Sequence, residues 1–405
     1  MKLVKKMISM VLTSVLALGL LCGCGAEEKA EVLKLAVRSG TYAEVIKECL
    51  PAFEADYGIR CEVIEFSEDE LHTEILHDSL NHNGTYDIIM VDSSWVAEFL
   101  AESALANLSS IGYEFDDDII PATTTICVQD GKTYLVPFYG NVTVMLYNRT
   151  VAESLGYAEE DFVTMEDIMS LCRASRSSGN GGFAARGDTN NNVVVDFLPV
   201  LRAFGGWVVD EKNNPTVDTP EFKAALEYYM ELLATGGMMP KEDLISAIES
   251  GTQTVAVGWP GWYAADSVNS DYCAFPGIVS EGAESFNSNI YGIWTLGIPA
   301  NSRYKESALE LLKYLMDPDV QKETIAYGGV PCRYSCLTDP EILELNPHLD
   351  VICTALENGI YRPSTRKWPE FYAILGNRMT EILTGKIDID NGLLLAQEEL
   401  ETLMK

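Results

Sequence analysis

Between residues 32 and 91 the sequence switches repeatedly between two hydrophobic periods, and that alternation restricts the fold more than any other feature. Residues 32–37 (Val-Leu-Lys-Leu-Ala-Val) read as a strand, broken by Ser39, Gly40 and Thr41. Residues 42–57 place Val45, Ile46, Cys49, Leu50 and Phe53 at helical spacing, and Gly58 stops them. Residues 59–66 alternate as a second strand, and 68–80 read as a second helix. Residues 86–91 (Tyr-Asp-Ile-Ile-Met-Val) form a short, almost wholly apolar run. A strand with no polar face must be covered on both sides, as in a parallel sheet flanked by helices. Strand, helix, strand, helix, strand is the opening of a doubly wound α/β domain.

The rhythm changes after residue 135. A strand at 142–147 is entered through Pro137, Phe138, Tyr139, Gly140 and Asn141. Helices are expected over 164–175, 197–204, 220–235 and 241–249, and strands over 254–259 and 291–298. Helices over 304–316, 319–327, 368–383 and 390–404 close the chain. There is no repeat at a solenoid period.

The first residues set the compartment. Lys2, Lys5 and Lys6 precede an uncharged apolar run over 7–21, too short to span a bilayer, which takes about 20 apolar residues. This fits a secretory signal over 1–23. Leu21-Cys22-Gly23-Cys24 resembles the lipobox of bacterial lipoproteins, which implies lipidation of Cys24 and a body outside the cytoplasm, anchored to the cell membrane at its N-terminus. The net charge of −33 repels phosphate backbones and argues against nucleic-acid binding.

Reactive constellations are sparse. Beyond Cys22 and Cys24 the cysteines are Cys49, Cys61, Cys127, Cys172, Cys273, Cys332, Cys336 and Cys353, without zinc-ligand spacing. They read mostly as buried free thiols, with room for one bridge. His72, His77 and His82 recur every five residues, a rotation of about 140° on a helix, so they share no face. G-x-S-x-G, the P-loop and H-E-x-x-H are absent. Residues 188–192 begin like a calcium loop but carry Val193 and Pro199 where glycine and glutamate belong, so they read as a polar loop capping the helix at 197. Two carboxylates suffice for glycoside hydrolysis, and 61 acidic residues do not exclude such a pair.

The six tryptophans are Trp95, Trp207, Trp259, Trp262, Trp294 and Trp368. Most stand at strand ends or in Gly/Pro turns: Asp92-Ser-Ser-Trp95, Gly258-Trp259-Pro260-Gly261-Trp262-Tyr263, Gly292-Ile293-Trp294 and, before Trp368, Arg362-Pro363. Open α/β sheets bind ligands outside the carboxyl ends of their strands. There an aromatic ring offers an apolar face to a sugar ring, while Asp, Asn or Arg satisfies its hydroxyls.

From about residue 32 onward the chain resembles the carbohydrate-binding subunits of ABC importers, the family of maltose-, trehalose- and multiple-sugar-binding proteins. The landmarks run in order. They are Tyr86 to Asp92 with Trp95, Glu98 and Phe99, then Pro137 to Asn141 with Tyr147-Asn148, then Phe204-Gly205-Gly206 with Val217 to Pro220. Gly258-Trp259-Pro260-Gly261-Trp262 follows, then Gly292 to Pro299, then 308–318, and finally Arg362-Pro363 with Trp368-Pro369. Asn141 stands where that family often has an acid, and Cys332, Cys336 and Cys353 fall outside the pattern.

The resemblance implies an α/β, two-lobed periplasmic-binding-protein-like fold with a hinged cleft. One lobe would hold 32–140 and 294–317, the other 141–293 and 318–405. Tyr139, Trp259, Trp262 and Trp294 would stack on the ligand, and Asp92, Asn141 and Arg362 would read its hydroxyls. Trp95, Tyr263 and Gly292 complete the candidate set. The resemblance further implies a monomer that needs no cofactor or metal, catalyses nothing, and passes a mono- or oligosaccharide to an ABC permease driven by an ATPase. A secreted glycoside hydrolase or lyase, and a surface adhesin, are the alternatives.

Overall fold

The computed structural model describes residues 32–262 and 269–405. The signal segment with Cys22 and Cys24, and Tyr263, lie outside the described residues. Strand β1 (Val32–Arg38) buries Leu33, Leu35, Ala36 and Val37 completely, as a strand covered on both faces must. Helix α1 (Thr41–Tyr57) lays Val45, Ile46, Cys49, Leu50 and Phe53 on the sheet and ends at Gly58, whose φ of 69° suits glycine. Strand β2 (Arg60–Phe66) leads to α2 (Glu68–Leu80), where the Glu70 carboxylate accepts hydrogen bonds from the Ser67 N–H and hydroxyl. The buried strand β3 (Ile88–Asp92) and the short helix α3 (Val96–Ala101) follow.

Strand β4 (Leu135–Tyr139) ends the first pass, and β5 (Val144–Asn148) opens the second lobe. That lobe continues with α4 (Met165–Ser178), β6 (Phe183–Arg186), α5 (Asn190–Ala203), α6 (Pro220–Thr235), β7 (Gly237–Met239), α7 (Lys241–Glu249), β8 (Val255–Gly258) and β9 (Ser270–Cys273). A two-residue strand, β10 (Ile290–Tyr291), precedes β11 (Trp294–Gly297) and α8 (Lys305–Leu315). The chain closes with α9 (Pro318–Thr324), α10 (His348–Asn358), the short β12 (Ile360–Tyr361), α11 (Trp368–Leu383) and α12 (Ile389–Met404).

Two five-stranded sheets result, ordered β2-β1-β3-β11-β4 and β9-β5-β8-β6-β7. In the first, β1 runs parallel to β2 and β3, and β11 runs antiparallel to β3 and β4. In the second, β8 and β6 and then β6 and β7 are parallel, and β5 runs against both β8 and β9. Helices α5, α6, α11 and α12 cover the second sheet around Phe197, Phe222, Tyr229, Trp368, Phe371 and Leu393. Among the described residues no helix is long and apolar enough to cross a membrane.

Three departures from the expected elements have physical causes. Helix α5 starts at Asn190 and not near 197, because Thr189 caps it and accepts from the Asn192 N–H at 3.1 Å. The asparagines expected in a loop thus form the first turn, where their low helix propensity matters least. The strand expected over 291–298 is two pieces, separated at Gly292-Ile293 where the chain passes between lobes. The third departure concerns the residues after 317, expected in the second lobe. Helix α9 packs on α1, the Ile120 N–H donates to the Cys332 carbonyl, and the buried Arg333 pairs with Asp116 at 2.7 Å and Asp118 at 3.2 Å. Helix α10 sits between the lobes, and the chain crosses to the second one only at 359–367.

All three crossings lie side by side. The Gly292 N–H donates to the Asn141 carbonyl and the Thr143 N–H to the Ile290 carbonyl. On the other flank β10 pairs parallel with β12, Ile290 opposite Ile360 and Tyr291 opposite Tyr361.

Candidate ligand-binding cleft

Strand polarity decides which edges face each other. In the first sheet β1, β2 and β3 all end on one edge, placing Arg38, Glu68 and Asp92 there. Strand β11 begins on that edge with Trp294, and β4 ends there with Tyr139. In the second sheet β6, β7 and β8 end together, placing Arg186, Lys241 and Trp259 along one edge. The crossings run from one edge to the other, so the two rows of strand ends form opposing walls.

The first wall centres on Asp92. Its Oδ1 accepts from the Ser94 N–H at 2.8 Å, from the Ser94 hydroxyl at 2.6 Å and from Arg362 Nη2 at 2.6 Å. No described residue donates to Oδ2. Three buried polar atoms also lack partners here: Ser93 Oγ, Arg362 Nε and, from the second wall, Trp259 Nε1. Unpaired buried polar atoms are costly, and Asp92 Oδ2 is left as an acceptor for a ligand hydroxyl.

Beside Asp92, Arg38 pairs with Glu68 at 3.0 Å and lies over the rings of Trp294 and Tyr42, 4.8 and 4.9 Å from their centroids. Glu68 is 34 % exposed yet ringed by protein, as a group on the floor of a crevice is. Burial raises its carboxyl above the usual range. The Asp92 carboxylate adds to this, while Arg38 and Arg362 oppose it. Tyr372, on α11 of the second lobe, has its hydroxyl raised by burial and next by the charge of Glu68 on the first wall.

On the second wall Arg186 is held against the fully buried Asp196, which also accepts from the Arg186 N–H at 2.9 Å. Its guanidinium carbon lies 5.9 Å from the Trp259 ring centre and 5.2 Å from that of Trp262. The Lys241 ammonium is 5.9 Å from the Trp262 ring. Trp259 is 7 % exposed, whereas Trp262 is half-buried.

The structure therefore gathers Asp92, Tyr139, Asn141, Trp259, Trp262, Gly292, Trp294 and Arg362 around one cleft, in different capacities. Trp294 is 1 % exposed, and Arg38, Tyr42 and Trp95 crowd its ring, so it supports the wall from behind. Trp95 is likewise buried, edge-on to His72 at 4.9 Å. The Tyr139 hydroxyl donates to the Gly328 carbonyl at 2.7 Å. Asn141 and Gly292 are joined through their backbones in the crossings. Arg38, Glu68, Arg186 and Tyr372 were not singled out from the sequence. The first three stand at or just beyond strand ends, the signal that located Asp92, while Tyr372 gives no signal outside the folded chain.

Two stacks of strands with facing carboxyl edges, joined by three crossings, define a two-lobed binding protein. A family model described as bacterial extracellular solute-binding protein matches residues 49–349, and the chain belongs to that family. The mannitol-binding protein of Pseudomonas aeruginosa is 24% identical over 401 residues, 91% of this chain and 90% of its own length. A probable amino-acid ABC transporter periplasmic-binding protein of Sinorhizobium fredii is 21% identical over 317 residues, 75% of this chain and 73% of its own. The maltose-bound MalE3 of T. maritima superposes with a TM-score of 0.81 at 24% identity, over 92% of this chain and 100% of that one. The chain is a solute-binding protein and not an enzyme.

Proposed function

We propose that this protein captures a sugar or polyol outside the cytoplasm and delivers it to the permease of an ABC importer. The observation that carries the reading is the nine-tenths-buried Asp92–Arg362 pair on the first wall, whose Asp92 Oδ2 accepts from no described residue and whose Arg362 Nε has no partner. Adjacent hydroxyls of a sugar or polyol offer the matching donor and acceptor. Trp262, Tyr372 and Trp259 supply apolar surface for the C–H face. The mannitol and maltose bound by the relatives have this chemistry. The body is tethered through lipidated Cys24 as a monomer, and the two lobes, 32–140 with 294–347 and 141–293 with 368–405, close on the solute by bending the crossings, with α10 between them. Asn141 and Tyr263 complete the ligand set, while Tyr139, its hydroxyl held by the Gly328 carbonyl, backs the first wall.

Thermal shift against sugars, polyols and amino acids, with analysis of products, tests this. A bound solute raises the melting temperature by mass action on the folded state. Stabilisation by a sugar or polyol without product supports the reading. Stabilisation by amino acids alone, or release of cleaved sugar, sinks it. Retention on polysaccharide without any small-ligand shift favours an adhesin.

A further inference from the structure

We infer that Gly261 is a positioning residue for closure: it lets the second wall seat directly on Tyr139 of the first. A methyl group added at Gly261 would lie 2.9 Å from the Tyr139 hydroxyl oxygen and 4.0 Å from Cζ, closer to the oxygen than carbon and oxygen pack. Gly261 belongs to the turn after β8, and Tyr139 ends β4, so the contact joins opposite walls. Tyr139 has nowhere to go. It is 2 % exposed, its hydroxyl is fixed to the Gly328 carbonyl at 2.7 Å, and its ring sits 4.7 Å from that of Tyr42.

A second glycine repeats the arrangement. A methyl at Gly292, in the middle crossing, would lie 2.7 and 3.0 Å from two ring carbons of Trp259 and 3.4 Å from Asn141 Nδ2. At the crossing end of the cleft an aromatic ring of each wall therefore rests on bare backbone. Gly261 is not in the left-handed region, so alanine fits its own turn, and among the described residues the only obstacle is Tyr139. The substitution is a wedge between walls, not a lesion in either lobe.

This rests on the solute-binding reading above, and the test separates the two. Calorimetry with mannitol and maltose as probes, and small-angle scattering of the saturated protein, compare wild type, Gly261→Ala, Tyr139→Phe and the double variant. Gly261→Ala is expected to weaken the bound probe about tenfold or more and to leave the saturated protein more open, with its urea midpoint unmoved. Removing the hydroxyl removes the obstacle, so the double variant binds more tightly than Gly261→Ala alone. Wild-type affinity in Gly261→Ala, or a double variant no tighter than the single, overturns the inference. If neither probe binds wild type, the solute reading suffers and ligand-free scattering decides the contact. A closed wild type that Gly261→Ala opens supports it, and a wild type with separated walls overturns it.

Discussion

Removing the Arg362 guanidinium leaves the Asp92 carboxylate buried with only Ser94 as a partner. Breaking one side of a buried pair costs about 3–5 kcal/mol, far more than an exposed ion pair is worth. Arg362→Ala is therefore expected to lower the ligand-free urea midpoint and to weaken the solute as well. A variant that keeps wild-type stability means the Arg362–Asp92 bond is not formed in solution. Trp262→Ala removes the more exposed of the two second-wall tryptophans and is expected to cost about 1–3 kcal/mol of binding, read by calorimetry, with little change in ligand-free stability. Unchanged affinity moves the site elsewhere. At this scale the strand-end rule picked out Asp92, Trp259 and Trp262 in the sequence, all three of which the fold brings to the cleft. It also made Trp294 look like a stacking face. Arg38 occupies that ring, and a stack between residues on different strands is settled by packing, which no local pattern displays.

The segment around Arg333 ties elements distant in sequence. Asp116 and Asp118 are pushed up by burial, but hydrogen bonds outweigh this, from Arg333 to Asp116 and from Ser335 and Arg333 to Asp118, and hold both carboxyls below the usual range. Groups with lowered folded-state pKa stabilise the fold above their unfolded value and lose that contribution as pH falls through the folded one. Arg333→Met is expected to lower stability at neutral pH by about 2 kcal/mol, below the buried-pair range because Asp116 is half in water, and to move acid unfolding to higher pH. Denaturant titrations at pH 7 and pH 4 check both. Thr189→Ala, which uncaps α5, should cost about 1 kcal/mol. Helices such as α2 and α11 were legible to the residue, because an apolar stripe coincides with a start signal and a stop. The attachment of 318–346 to the first lobe was not, since it depends on long-range pairs between Arg333 and residues more than two hundred positions earlier.

Across the whole molecule, the order of landmarks carried the two-lobed architecture before any coordinate, whereas the place of the third crossing did not follow from it. Cys24→Ser is expected to leave unlipidated precursor and little membrane-bound protein on fractionation. Acylation persisting in the variant points to Cys22 or another route. The crossings themselves constrain how the lobes move. Because 141–143, β10 and β12 are hydrogen-bonded edge to edge, they form one flexure and not three independent tethers. A strip of joined strands is compliant to folding across its width and stiffer to shear, since sliding one strand past the next breaks the hydrogen bonds between them. If the lobes close on a solute as proposed, the joined crossings favour one soft path, so that each opening would retrace the last closing and return the same strand ends to the same register.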